Sequence, residues 1–331
     1  LSVWQELVAE FRALGGTLDN LRLDNGPLGR GLFPIERGRA AAIHVPENLL
    51  VDSRQILFEN GALKVAPGAG MPARERSFFE AYHARLSFGG GGRAEIERLF
   101  EDAQTLPEEF RARLDRLYRC GPWFAPPAGD SVGRQFVESR EYGYSQGDVM
   151  MPFIELANHG HACRYDTDGG IWLRGTPEEE ATAPYSATDA YGLFRGWGFA
   201  CEAPLAFSME HSGSIGGETL FVARPPGEAR SGGDSLVPKA ARAGGAVHVE
   251  FVLLGNRRVP GLGRRCFARA LGAAGFGHGE IAAAFAALLD ANLRRFRALL
   301  AEAAGMEGAM ARNLQRMARL QLEALECCDA A

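Results

Sequence analysis

The order of hydrophobic periodicities limits the fold of this chain more than any single motif does: two strand-like stretches are separated by a helical one. From Leu18 to Val51 the residues read as short strands and turns, with Asn25-Gly26-Pro27 as turn chemistry and Ala41-Ala42-Ile43-His44-Val45 as a strand ended by Pro46. Residues 53–135 instead place Phe78, Phe79, Tyr82 and Leu86 on one helical face, and Ile96, Leu99, Phe100 and Ala103 on another, with Gly89-Gly90-Gly91-Gly92 between them. Strand signals return from Phe136 to Leu173, where Asp168-Gly169-Gly170 suits a hairpin turn. The pattern predicts an α+β chain in which two β blocks flank a helical insertion.

Both ends of the chain read as helical. Val3, Trp4, Leu7, Val8, Phe11 and Leu14 recur at helical spacing until Gly15-Gly16 stops the pattern. Beyond Pro260, Ile281, Phe285, Leu288, Leu289 and Phe296 form one apolar stripe and Met310, Leu314, Met317 and Leu325 a second, with Gly305 between them, so a hairpin of two long helices is expected. The Gly-, Ser- and Pro-rich stretch from Ser208 to Gly245 reads as loops with at most one edge strand at Thr219–Val222. A length of 331 residues suits about two domains. The expected division is residues 1–201, comprising a lead helix (1–16), a β core (17–52 and 136–201) and a helical insertion (53–135), followed by a mainly helical C-terminal domain (202–331).

Composition excludes some classes of partner. A net charge of -5 gives no global attraction to nucleic acid or to an anionic membrane. No apolar run approaches the ~20 residues of a membrane span, and no basic and apolar leader opens the sequence. The six cysteines have no zinc-type spacing and read as reduced thiols of a cytoplasmic protein. Richness in Ala, Gly and Arg suggests a bacterial source.

Chemistry concentrates in Met150-Met151-Pro152-Phe153-Ile154-Glu155-Leu156-Ala157-Asn158-His159, an apolar run ending in an amide and an imidazole, and in Tyr185, which leads towards Trp197-Gly198-Phe199. Polar groups on apolar walls suit a small-molecule site. Taken singly, each motif has an ordinary reading. Gly29-Arg30-Gly31 lacks the third glycine and following helix of a dinucleotide site. His159 and His161 with Asp166 and Asp168 offer metal-type donors, but the aspartates fall where a hairpin turn needs them, so no metal is expected. The arginines at 294, 295 and 297, and at 312, 316 and 319, read as solvated helix faces.

Taken in order, Gly29-Arg30-Gly31-Leu32-Phe33, Ile43-His44-Val45-Pro46, Ser139-Arg140, the run from Pro152 to His159, and Tyr185 fourteen residues before Phe199 resemble the SET-domain methyltransferases, in the branch of the Rubisco large-subunit methyltransferases. The resemblance implies a β-rich SET fold of small sheets with a knot-like crossing, a helical insertion and a helical C-terminal domain that binds a protein or peptide substrate. It implies S-adenosyl-L-methionine as cofactor, with Gly29, Arg30, Gly31, Leu32, Arg140, Glu155, Asn158, His159 and Phe199 around it. Tyr185 would be the catalytic tyrosine, with Phe153 and Trp197 in the substrate channel. The expected activity is N-methyl transfer to a protein or peptide side chain, lysine foremost, without a metal. Pro184 before the tyrosine, and Asp189-Ala190 where the family usually has Ser-Asn, motivate two alternatives: a SET-like binding module that has lost catalysis, and a tailoring enzyme acting on a small molecule or modified peptide.

Overall fold

The computed structural model describes residues 1–119, 122–125, 130–145, 147–185, 188–223 and 236–327. Cys120, Cys328 and most of the Gly- and Pro-rich stretch, 224–235, lie outside the described residues. Two compact units emerge: residues 1–100 with 127–185, and residues 101–126 with 186–331. The expected boundary after residue 201 thus falls inside the second unit, which also takes part of the insertion.

In the first unit, α1 (Val3–Ala13) begins at a capping box between Ser2 and Gln5 and buries Leu7, Val8 and Phe11, the apolar positions that the sequence spaces by helical turns. The strands β1 (Thr17–Asp19), β2 (Leu21–Gly26), β3 (Gly29–Pro34) and β4 (Ala41–Pro46) follow, then β5 (Val51–Asp52). A second hairpin, β6 (Ile56–Glu59) and β7 (Ala62–Val65), opens the stretch expected to be helical. Its turn is Asn60-Gly61, with φ of 50° and 78°, the pairing a two-residue hairpin favours. Next come α2 (Ala73–Arg85), α3 (Arg93–Gln104), which runs past the end of this unit's first segment, α4 (Glu108–Tyr118) of the second unit, and α5 (Ser131–Glu138). The remaining strands are β8 (Tyr142–Tyr144), β9 (Gly147–Met150), β10 (Cys163–Asp166) and β11 (Gly170–Gly175). Residues 136–138 are therefore helical rather than the start of the second β block, because Phe136 and Val137 are buried from a helix.

The two β blocks pack as one set of small sheets. One sheet has the order β1-β4-β11-β10, and β5-β9-β8 forms another. Val45 faces Ile171 and Ile43 faces Leu173 across β4 and β11, while Val51 faces Met150 across β5 and β9. Alternation in β4 buries Ala41, Ile43 and Val45 and turns His44 outward onto Trp172, with ring centroids 4.1 Å apart.

The second unit adds α6 (Ala190–Trp197), β12 (Leu205–Phe207), β13 (His211–Ile215), β14 (Glu218–Val222), β15 (Ala240–Ala243), β16 (Ala246–Val249), β17 (Leu253–Asn256), α7 (Leu262–Ala273), α8 (His278–Ala303) and α9 (Ala309–Glu326). The stretch expected to be loops carries three strands and belongs to a four-stranded sheet, β13-β14-β16-β15, in which β14 and β16 run parallel. Ladder hydrogen bonds and the buried Ile215, Leu220, Val247 and Val249 override a glycine- and serine-rich composition there. The helical hairpin α8–α9 is present, with Phe285, Leu288, Phe296, Met310, Leu314 and Met317 in its core. Asp189 caps α6 through Gly192 N and accepts from Phe207 N at 2.9 Å and from Gln321 Nε2 at 2.7 Å, fastening α6 to the strands and to α9.

Candidate functional site

The run from Met150 to His159 leaves β9 at a proline and turns at once. The carbonyl of Pro152 accepts from Ile154 N at 2.9 Å, closing a three-residue turn around Phe153 at φ 67°, ψ -43°. Such γ-turns with positive φ are rare, and a residue held there costs about 1–3 kcal/mol. Tyr82 on α2 holds it: the phenol oxygen accepts from Phe153 N at 2.9 Å and its proton goes to Glu155 Oε1 at 2.7 Å. The Phe153 ring packs 5.3 Å from Trp4, 4.8 Å from Phe11 and 5.0 Å from Tyr82. Phe153, expected to line a substrate channel, is thus a fully buried core side chain, drawn inward by this ring cluster.

Glu155 and Arg140, both expected at the cofactor, are placed beside each other. Arg140 Nε lies 3.4 Å from Glu155 Oε2, and the Glu155 side chain has no exposed surface. Burial pushes its carboxyl up, while Arg140, Ser87 and Tyr82 act in the opposite direction. The Arg140 guanidinium also lies 4.1 Å from the centroid of the Phe136 ring, donates to Ser139 Oγ at 2.8 Å and sits 3.6 Å from Glu95 Oε2. Close by, His83 is buried with no hydrogen-bond partner on either ring nitrogen among the described residues; burial, then Arg140, lowers its pKa to about 3.

The second half of the site is a crossing of chain segments. Residues 180–183 bond β3 on one side, through Ala181 N to Leu32 O at 2.8 Å, and residues 158–163 on the other. There Ala183 N donates to Asn158 O at 2.8 Å, Gly160 N donates to Ala183 O at 3.0 Å, and His159 forms a parallel bridge with Ala183. The Asn158 amide donates to Arg30 O at 3.2 Å and to Glu180 Oε1 at 2.6 Å. A β-carbon on Gly31 would run into both Glu180 Oε1 and Asn158 Nδ2, so any larger residue would have to displace these two side-chain ends from the strand. The Arg30 side chain points elsewhere, donating to the carbonyls of Leu86, Ser87 and Gly90, and only its backbone oxygen reaches Asn158. Leu32 is a core side chain whose carbonyl serves the crossing, and Gly29, at φ 95°, faces open space.

Tyr185 lies at the end of this crossing. Its amide donates to His159 Nδ1 at 3.2 Å, which makes that nitrogen an acceptor and leaves the imidazole proton on Nε2. Burial, then the charge of His161, lowers the His159 pKa to about 4, so the ring is neutral near pH 7. The Tyr185 hydroxyl donates to Ala157 O at 3.0 Å. Burial pushes its pKa up to about 12; Arg140 opposes that rise, while Glu155, Glu95 and Glu180 add to it. It therefore remains a phenol. Tyr142 and Tyr165, with ring centroids 4.5 Å apart, extend the aromatic surface, and the Tyr165 phenol is held in its neutral form by burial and by Tyr185.

The structure brings together Gly31, Arg30 O, Asn158, His159 and Tyr185, and beside them Arg140 and Glu155. Trp197 and Phe199 lie in the second unit, at the end of α6 and two residues beyond it. Sequence reasoning missed Glu180 and Tyr82. Glu180, whose carboxyl is raised by burial and lowered by Asn158, stood in view as an acidic run before Tyr185. Tyr82 was visible only as an apolar helical position. A cavity of about 490 Å³ in the first unit, lined by Arg54, Phe58, Leu63, Arg134, Val137 and Glu138, contains none of these residues. The described residues include no group of three or more His, Cys, Asp or Glu placed to hold a metal ion, and no described helix is long and apolar enough to cross a membrane.

No family model matches the chain. No curated protein matches it either. Among solved structures, the chain is similar to Rubisco LSMT bound to AdoMet, with a TM-score of 0.47 and 14% identity over 100% of this chain and 91% of that one. It is also similar to the SET domain of LSMT bound to lysine and AdoHcy, with a TM-score of 0.44 and 13% identity over 99% and 90% of the two chains. At that degree of likeness, neither the ligands nor the chemistry of those proteins passes to this one.

Proposed function

We propose that this chain is an S-adenosylmethionine-dependent N-methyltransferase of SET type that acts on a side-chain amine of a protein or peptide, lysine foremost. The observation that carries the reading is the crossing itself: a neutral, half-buried Tyr185 bonded to the Ala157 carbonyl, in contact with His159, where Asn158 meets the glycine strand at Gly31. The backbone of residues 29–32 with Asn158, His159 and Arg140 would hold the cofactor. The fit lies in donor chemistry: a half-buried Glu180 carboxylate beside Gly31 suits the cationic end of such a molecule, and an unprotonated His159 adds no competing charge. Bound there, S-adenosylmethionine would supply an electrophilic methyl group.

The protein's own part is to prepare the amine. A lysine with an unperturbed pKa near ~10.4 must lose a proton before it can attack. The aromatic surface of Tyr142, Tyr165 and Tyr185 favours the neutral amine by desolvation, and the Tyr185 hydroxyl and neighbouring carbonyls orient it. Docking of the substrate on the C-terminal helices and a cytoplasmic location complete the reading.

The test is calorimetric titration with S-adenosylmethionine, followed by mass spectrometry of host-lysate proteins incubated with enzyme and cofactor. We expect saturable binding and a 14 Da addition that Tyr185→Phe abolishes while cofactor affinity stays within about threefold, since the lost hydroxyl orients the amine rather than the cofactor. Absence of binding at millimolar cofactor would sink the proposal. A second reading, a binding module without catalysis, is favoured by Asp189, whose carboxylate is committed to capping α6 and fastening it to Phe207 and Gln321. Cofactor binding with no transfer to any lysate component would select it.

A further inference from the structure

A pocket of about 170 Å³ in the second unit is walled by Arg116 and Arg119 at the end of α4, Arg195 on α6 and Arg295 on α8. Against these four guanidinium groups stands one lining carboxylate, Glu210. Arg119 Nη1 meets Glu210 Oε1 at 2.8 Å, but both side chains are exposed, so solvent screens the pair. Arg295 is fixed in place: Nη1 donates to Glu210 O at 2.8 Å, and its own carbonyl accepts from Tyr118 OH at 3.0 Å. Arg195 sits on a helix anchored by Trp123 Nε1, which donates to the Arg195 carbonyl at 3.0 Å. Arg195 and Arg295 are half-buried, so Arg295 is no member of a solvated face.

The surroundings carry the same sign. His211, next in chain to Glu210, has its pKa lowered first by burial and then by Arg295 and Arg294, as expected where a further cation is disfavoured. The carbonyl end of α4 offsets only about half a charge. At the ~30 Å³ of one liquid water, the volume admits a tetrahedral oxyanion with part of its hydration. Planar guanidinium forks on three helices match such an ion better than a single carboxylate, because each fork can donate two parallel hydrogen bonds.

We propose that this pocket binds a phosphate-type dianion, either free inorganic phosphate or the phosphate monoester of a peptide side chain. It stands independently of the methyl-transfer reading. The experiment is calorimetry on the full chain at constant ionic strength, titrating inorganic phosphate, a phosphoserine peptide and its unphosphorylated twin into the wild type, Arg116→Gln and Arg195→Gln. We expect 1:1 binding of phosphate or of the phosphopeptide, weakened about tenfold in each variant, the scale of one charge-assisted bond. A phosphopeptide that binds at least tenfold tighter than phosphate identifies the ester as the ligand; equal or weaker binding identifies the free ion. Circular dichroism checks folding, and the exposed Arg116→Gln decides if Arg195→Gln is unfolded. No saturable heat up to about 10 mM of either probe, or affinities unchanged in the folded variants, would overturn the proposal.

Discussion

Tyr82→Phe removes one oxygen and two buried hydrogen bonds. The phenol donates to Glu155 Oε1 at 2.7 Å and accepts from Phe153 N at 2.9 Å, in a site with no solvent access. The bond to a charged acceptor contributes about 1.5–3 kcal/mol, and leaving the Phe153 N–H unmet costs about 1–3 kcal/mol. The ring itself is kept, so the expected loss of stability is about 3–5 kcal/mol. A pH dependence follows from Glu155. Its folded pKa is raised above the ordinary 4.5, so the stability linked to it is fully present below 4.5 and falls as pH rises towards the folded value. Without the Tyr82 donor the carboxylate form is disfavoured further, and the variant suffers more at pH 8 than at pH 5. Urea unfolding of both proteins at the two pH values measures this; at a slope of about 3 kcal/mol per molar, the midpoint drops by roughly 1 M. A loss under about 1 kcal/mol at pH 8, or the same loss at both pH values, would refute the reasoning.

Two further outcomes follow from the same unit. His83 is neutral in the fold, with its pKa lowered from 6.5 to about 3, so its contribution is present above pH 6.5 and is lost as pH falls towards 3. His83→Leu should therefore lose less stability than the wild type between pH 7 and pH 5, by about 2 kcal/mol at 1.36 kcal/mol per unit, read from thermal midpoints; an identical pH profile would count against a neutral buried imidazole. Gly31→Ala places a β-carbon against the mobile ends of Glu180 and Asn158, so it should cost only about 1–2 kcal/mol of stability yet weaken S-adenosylmethionine binding at least tenfold by calorimetry.

How much of this was legible in the sequence depended on the range of the interactions. The Asp168-Gly169-Gly170 hairpin, the strand ending at Pro46, the capped lead helix and the α8–α9 hairpin are set by local chemistry, and all are present. The Asn60-Gly61 hairpin carried an equally clear local signal, but the helical periodicity around it hid it. Asn158, His159 and Tyr185 could be picked out as chemically unusual residues in a suggestive order. Their partners could not, because Tyr82 and Glu180 were chosen by segments that meet only in the folded chain. Phe153 shows the limit most clearly: the resemblance implied a channel position for it, whereas the γ-turn that sets its ring among Trp4, Phe11 and Tyr82 leaves no local mark in the sequence.

The crossing at residues 180–183 has a kinetic consequence. Its hydrogen bonds join Leu32 to Ala181 and Asn158 to Ala183, and the β5–β9 pairing joins Val51 to Met150, so the Leu32 and Val51 contacts close loops of roughly a hundred residues or more. Closing loops of that length loses entropy before any contact repays it, which places such topologies among slow folders. On loop-closure entropy the crossing is expected to form late, after the local hairpins and helices. Occupancy of the site would act as a report of a formed crossing, and a bound ligand would slow the opening of a segment that closes late.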